Sequence, residues 1–361
     1  MKSKITTFVF AIVLFVTSAI CIVKPADRFS ISERRPLAQM PEVNLQSVAS
    51  STFMTDFEKY ATDQFPARDT LRSLKAVFAI KVLMKKDNNS LFVKDGHISK
   101  IDSYESEYMT DYASQLFEKI VLEHAAGKVY FSVIPDKNFI LAKDNFYNRT
   151  DYDGFIERMK EKTPFMEYVD IVEYLSIDDY YTTDTHWRQE KIIDVAKHIA
   201  NKMGTDIPSD YWENKVEAPF YGVYHGQLAL GFEPDTMVYL TNDTIDNFTV
   251  TYYGSGKGVR GEVYDKGKLE GKDMYEMFLA GAQPLITIEN PGFEEDKELV
   301  VFRDSYASSL APLLAQGYKK TTLVDIRYIQ SAFLKDYVDF NKCDVLFIYS
   351  TSVLNTSNSM K

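Results

Sequence analysis

The chain predicts an open α/β sheet, mostly parallel and flanked by helices, with a membrane-inserting segment ahead of it and an irregular, partly β insertion within it. Three observations carry this. Short apolar runs of strand length alternate with helical patterns through the last two thirds of the 361 residues, the alternation that builds layered α/β folds. The first of those runs, Lys128-Val129-Tyr130-Phe131-Ser132-Val133-Ile134, is apolar at nearly every position, as a strand covered by helices on both faces must be. Residues 205 to 298 break the alternation and hold most of the 16 glycines. With the hairpin-like run Tyr252-Tyr253-Gly254-Ser255-Gly256-Lys257-Gly258, they predict loops and small antiparallel strands.

Residues 1 to 24 come first. Lys2 and Lys4 precede Ile5 to Val23, 19 residues without a charge, closed by Lys24 and Pro25. At about 1.5 Å per residue this run spans roughly 30 Å of hydrocarbon. It is longer than the core of a signal segment and lacks a clear A-x-A site, so it predicts an uncleaved single-pass anchor in the cell membrane. The early lysines keep the N-terminus in the cytoplasm and place everything after residue 25 outside. Thr17-Ser18-Ala19-Ile20-Cys21 resembles a lipobox only faintly, since Ile20 stands where a small residue is wanted. Cys21 lies inside the apolar run and cannot pair with Cys343, so the folded part relies on its core.

Residues 25 to 49, broken by Pro25, Pro36 and Pro41, predict an extended tether. Residues 50 to 126 predict a helical N-terminal region. There Phe53, Phe57, Tyr60 and Ala61 mark one helix, Leu71, Leu74, Val77 and Phe78 a second, with a break at Pro66. Leu91-Phe92-Val93 followed by Asp95-Gly96 reads as strand and turn, and 103 to 126 as another helix. The sheet domain then runs from 127 to 361. Its later strands are Met166 to Asp170, Leu299 to Phe302, Thr321 to Asp325 and Cys343 to Tyr349, and its helices Gln189 to Met203 and Ser308 to Gln316. Ligands of such sheets sit at the carboxyl ends of the strands.

Composition narrows the function. With 45% hydrophobic and 26% charged residues the chain is an ordinary globular one. Against 52 Asp and Glu there are 41 Lys and Arg, a net charge of −11, which argues against nucleic acid as a partner. His97, His124, His198 and His225 have no partner at metal-ligand spacing, so no metal is expected.

Two segments carry chemistry. Asp304-Ser305-Tyr306 comes directly after one strand and precedes a helix, which exposes the serine at a strand's carboxyl end beside the positive helix N-terminus. Helix capping by Asp304 or Ser305 explains the same residues. In Tyr180-Tyr181-Thr182-Thr183-Asp184-Thr185-His186-Trp187, an extended segment turns Asp184 and His186 to one face, so that the carboxylate can orient the imidazole. A cap with a structural histidine explains that segment alone. Together the two supply Ser, His and Asp, the full requirement for acyl transfer through a serine ester, and triads are defined by geometry rather than chain order. Arg303 and Arg327 could meet an anionic sugar or form ion pairs, and Trp187 could pack behind His186 or serve as a sugar platform.

At these residues the sequence resembles a known family, the DHHW family of bacterial SGNH-hydrolase-like proteins, named for an Asp-His-His-Trp motif and related to periplasmic alginate O-acetyltransferases. The resembling segments are Asp63-Gln64-Phe65-Pro66-Ala67-Arg68-Asp69, Val133-Ile134-Pro135-Asp136-Lys137, Thr183-Asp184-Thr185-His186-Trp187, Phe302-Arg303-Asp304-Ser305-Tyr306 and Asp325-Ile326-Arg327-Tyr328. Thr185 stands where the naming motif has its second His, and Arg303 where SGNH hydrolases usually carry Gly. The resemblance implies a flavodoxin-like fold and no cofactor. It assigns Ser305 as nucleophile, His186 as general base and acid, and Asp184 as the residue orienting His186. The implied activity is extracytoplasmic O-acetylation of a cell-surface or secreted polysaccharide, with acetyl supplied by a multi-span membrane acyltransferase. A carbohydrate acetylesterase with the same triad and a non-catalytic polysaccharide-binding scaffold are the alternatives. Oxyanion donors would be the Ser305 amide and either Tyr306 or one of Gly254, Gly256 and Gly258; Arg303, Tyr306, Arg327 and Trp187 are the candidate substrate contacts.

Overall fold

The computed structural model describes residues 2–101, 105–124, 127–142, 151–254 and 256–361. The chain forms two compact units, Met1–Asn89 with His225–Phe232, and Ser90–Tyr224 with Glu233–Lys361.

The second unit is built on one eight-stranded sheet. Its strands in chain order are β1 (Val129–Ile134), β2 (Glu167–Tyr168), β3 (Thr249–Tyr252), β4 (Val259–Gly261), β5 (Leu285–Glu289), β6 (Glu298–Arg303), β7 (Lys320–Val324) and β8 (Cys343–Ser350). Across the sheet they lie in the order β4-β3-β5-β7-β6-β8-β1-β2. The pairs from β7 to β2 are parallel, as their two-sided apolarity predicts. The insertion does more than cover the sheet edge: β3, β4 and β5 pair antiparallel and extend the sheet beyond β7.

Alternation along each strand feeds two cores. Val300 and Phe302 of β6 point to one face, joining Phe131 and Phe347 under a helix at Glu107–His124, whose Phe117 ring lies 4.7 Å from that of Phe347. Phe302 and Phe347, directly opposite in register, stack at 4.4 Å. Leu299 and Val301 point to the other face and meet helices Ile193–Lys202 and Ala307–Leu314. Of the predicted helix 103 to 126, residues 105 and 106 precede the helix, which runs Glu107–His124, and 103, 104, 125 and 126 lie outside the described residues. The helix predicted from Gln189 starts with a 3-10 turn at Gln189–Lys191.

In the first unit, helix α1 spans Lys2–Val23, and it is long and apolar enough to cross a membrane, next to the N-terminus as an anchor or a signal sequence would be. Helices α2 (Thr52–Asp63) and α3 (Arg68–Val77) flank Pro66 as the periodicity predicts. Residues 27 to 38 are not a bare tether. The Asp63 carboxylate accepts from both Arg35 Nη atoms at 2.8 and 2.6 Å and from the Ala38 amide at 2.9 Å. The Gln64 side chain accepts from the Asp27 amide and donates to the Asp27 and Ala38 carbonyls. The Asp63–Asp69 motif thus fastens the segment just after α1.

Candidate active site

Parallel pairing brings the carboxyl ends of β1, β6 and β8 side by side, so the turns that leave these strands meet at one edge. After β6, Asp304 accepts from the Tyr306 amide at 3.0 Å and, with its other oxygen, from the Ser350 amide at the end of β8 at 2.7 Å. After β1, Asp136 accepts from the Thr351 hydroxyl at 2.8 Å and from Tyr152 at 2.7 Å. The helix that follows β6 has Tyr306 as its N-cap with no side-chain cap bond, so Asp304 ties two turns together rather than capping it, and Ser305 beside it is left partly exposed.

The Ser305 hydroxyl reaches His186 Nε2 at 2.7 Å, and His186 Nδ1 lies 2.6 Å from Asp184 Oδ1. Asp184 is wholly buried and His186 nearly so. The backbone is not extended between them. An antiparallel bridge between Tyr180 and Trp187 closes residues 181–186 into a tight loop, and the His186 amide also donates to Asp184 Oδ1 at 3.1 Å. The shared face comes from this turn, which short Asp side chains favour, and not from strand alternation.

Four elements hold the loop. The Lys137 ammonium, 2% exposed, donates to the carbonyls of Tyr181, Thr182 and Asp184 at 2.8, 3.0 and 2.9 Å. Asp235 accepts from the Thr182 and Thr183 amides at 2.7 and 2.8 Å. The Val223 amide donates to Asp184 Oδ2 at 2.8 Å. Gly222 packs so closely that a Cβ there would collide with the Asp184 backbone and the Thr183 carbonyl. Last, the Tyr275 ring lies flat on the His186 ring, centroids 3.8 Å apart and planes 7° apart, with its hydroxyl 2.9 Å from Ser309. Burial, opposed by Asp184 and Asp235, pushes the Lys137 ammonium down to about 7.

The structure turns three of the candidate substrate contacts inward. Trp187 donates to the Tyr306 carbonyl and to Ser309 at 2.9 and 3.0 Å, packing behind His186. Tyr306 donates to the Thr185 carbonyl at 2.8 Å and is buried. Arg303 is 1% exposed and donates to Ser308 at 3.1 Å. Arg327 grips Asp325 through two bonds of 2.8 and 2.6 Å. Thr185, at the place of the second motif His, is knitted to Tyr306 and Tyr224 by hydroxyl contacts of 3.0 and 3.1 Å. Gly254 and Gly258 belong to the β3–β4 turn, beside Gln283 and Tyr253. No group of three or more His, Cys, Asp or Glu side chains that could hold a metal occurs among the described residues. Lys137, Asp235, Gly222, Val223 and Tyr275 escaped sequence reasoning. Only Lys137 had a signal, its place at the end of an apolar strand within one of the resembling segments.

The class of protein is set by the fold: an open, mostly parallel α/β sheet flanked by helices, with Ser305, His186 and Asp184 in contact at its carboxyl edge. Among solved structures it is similar to a DHHW family protein from Eubacterium siraeum, with TM-score 0.62 and 23% identity over 76% of this chain and 94% of that one. It is also similar to Bacillus cereus PatB1, solved with a sulfonyl adduct, with TM-score 0.58 and 20% identity over 73% and 95% of the two chains. The O-acetyltransferase domain of Pseudomonas putida AlgJ aligns at TM-score 0.44 and 11% identity, over 74% and 92%. Neither a family model nor a curated protein matches the sequence. The fold is thus the one that the resemblance implied.

Proposed function

We propose that this protein is an extracytoplasmic O-acetyltransferase that modifies a cell-surface or secreted polysaccharide through an acetyl-serine intermediate, held at the membrane by α1. The observation that carries the proposal is the continuous relay from Ser305 through His186 to Asp184, with spacings of 2.7 and 2.6 Å. His186 Nε2 takes the Ser305 proton as Oγ forms a bond to the carbonyl carbon of an acetyl ester. That proton then passes to the departing alcohol as its C–O bond breaks, leaving acetyl-Ser305. A sugar hydroxyl next gives its proton to His186 and attacks the acetyl carbon, and the Ser305 Oγ recovers a proton as it leaves. Asp184 holds the ring and stabilises the imidazolium formed in each half. The Ser305 amide, at the N-terminal end of helix Ala307–Leu314, is the oxyanion donor we assign.

Similarity in fold to PatB1, which carries a sulfonyl adduct in one structure, supports the same chemistry here. The family resemblance supports a multi-span acyltransferase as the acetyl source, since acetyl-coenzyme A is confined to the cytoplasm.

The test is Ser305→Ala. The purified chain should cleave an aryl acetate and take up one sulfonyl group, and the variant should do neither while keeping its circular dichroism spectrum. Unchanged turnover in the variant would remove the mechanism. Supplying acetyl donor with glycan separates the transferase, which adds mass to the sugar, from an esterase, which only releases acetate.

A further inference from the structure

The apolar repeat Leu71, Leu74, Val77 and Phe78, which marks a helix in the sequence, is exposed in the structure. In α3 and the π-helical turn that continues it, Phe78–Val82, the residues facing the protein are Ala76 and Ala79, at 0% and 7% exposure. Leu74, Phe78, Val82 and Met84 are 63%, 52%, 60% and 78% exposed. Leu74, Phe78 and Val82 follow one another at spacings of four, which puts them on one side, and Leu83 and Met84 lie exposed just beyond the π-helical turn. A cluster of large exposed apolar side chains marks a surface that something covers.

The charges say what covers it. From Thr70 to Lys86 the chain carries Arg72, Lys75, Lys81, Lys85 and Lys86 and not one acid, although the whole protein is −11. Arg72 is paired with Glu33 and Asp69, so a second copy packed face to face would set the four lysines against the same four. A bilayer offers apolar interior for the leucines and phenylalanine and negative headgroups for the lysines, whose stems reach from one to the other. The same unit carries α1, the helix able to cross a membrane. We propose that residues 70–86 form an interfacial face that lies on an anionic lipid surface, with Leu74, Phe78 and Val82 in the acyl boundary and Lys81, Lys85 and Lys86 among the headgroups.

The test uses the full chain, α1 included, reconstituted into vesicles of phosphatidylcholine and phosphatidylglycerol mixed three to one. Leu74→Trp places a reporter on the face, and the unsubstituted chain gives the background of Trp187 and Trp212; Phe78→Trp serves should the first variant fold poorly. The expected result is a blue-shifted emission from position 74 that loses most of its intensity when the lipids are replaced by acyl-brominated ones. Changing Lys81, Lys85 and Lys86 together to Glu should return the emission to that of exposed tryptophan. Free quenching by acrylamide in the anionic vesicles would show the face open to water and overturn the proposal. Protection from acrylamide without quenching by brominated lipid would overturn it equally, since a protein, either a second copy or another partner, would then be the cover. The readout is fluorescence, so it is independent of the triad's chemistry.

Discussion

His186 is held on three sides, by Asp184 at Nδ1, by Ser305 at Nε2 and by the Tyr275 ring below, and each residue of that setting makes its own prediction. Asp184→Asn puts an amide where the ring needs an acceptor and favours the wrong tautomer. The serine-protease triad loses about 10⁴-fold in kcat on such a change, and a comparable loss in aryl acetate turnover is expected with the fold intact. Gly222→Ala should also fold but slow aryl acetate turnover, because its methyl must push Asp184 away and a misplacement of about 1 Å costs on the order of 100-fold. Lys137 couples the site to pH. Folded, it loses its proton near 7, whereas the unfolded chain keeps it to 10.5. Between those values the unfolded state binds more protons, so this residue makes stability rise with pH; below about 7 both states are protonated and the burial cost is fully present. Function moves the other way, because a neutral amine has two protons for three carbonyls. Activity should therefore fall above about pH 7 while melting temperature does not. Lys137→Met should be slow at every pH and lack that alkaline limb; a limb of the same position in the variant would exclude Lys137 as its source.

At the scale of elements, the insertion completes the site that the parallel strands begin. Tyr275 comes from it and stacks on His186. A ring under an imidazole that becomes charged contributes about 0.5–2 kcal/mol. Tyr275→Leu should accordingly slow turnover by about two- to thirtyfold, at roughly 1.4 kcal/mol per factor of ten, while Tyr275→Phe keeps the stack and most of the rate. The comparison of the two in single-turnover acetylation of Ser305 checks this. The sequence showed the insertion by its glycines and hairpin signal but offered no means of placing Tyr275, because residues 275 and 186 meet only when β5 docks on β7. The α3 stripe shows the opposite gap. Its period was legible, but whether it faces in or out depended on which side the two alanines packed, and the acidity of the whole chain concealed the local run of lysines.

For the whole molecule, the sheet's centre is made by its last strand. β8 lies between β6 and β1, pairing Val345 with Val129 and Phe347 with Phe302. A chain ending at residue 342 should therefore lack a cooperative melting transition, because both cores lose their common wall. The first unit has its own pH signature. The Arg35 guanidinium, through its hydrogen bonds, holds the Asp63 carboxyl down at about 2, from 3.8. Stability from this pair is present above about 3.8 and is lost as pH falls through 2. Asp63→Asn should expose residues 27 to 38 to proteolysis at neutral pH, and the unsubstituted chain should become equally sensitive only on acidification through that window.

What the sequence determined by itself is what local patterns encode: the apolar run of α1, the two-faced strands of a parallel sheet, the break at Pro66, and Ser305 at the turn between strand and helix. It also held Asp184 and His186 two residues apart, close enough for any tight backbone to join them. Tertiary structure alone decided that Ser305, more than a hundred positions later, comes within hydrogen-bonding distance of that pair, and that Lys137, Asp235, Gly222 and Tyr275 fix the loop between. The reason is physical. Periodicity and capping act over a few residues, whereas these contacts exist only because parallel strands distant in the chain put their carboxyl ends at the same edge.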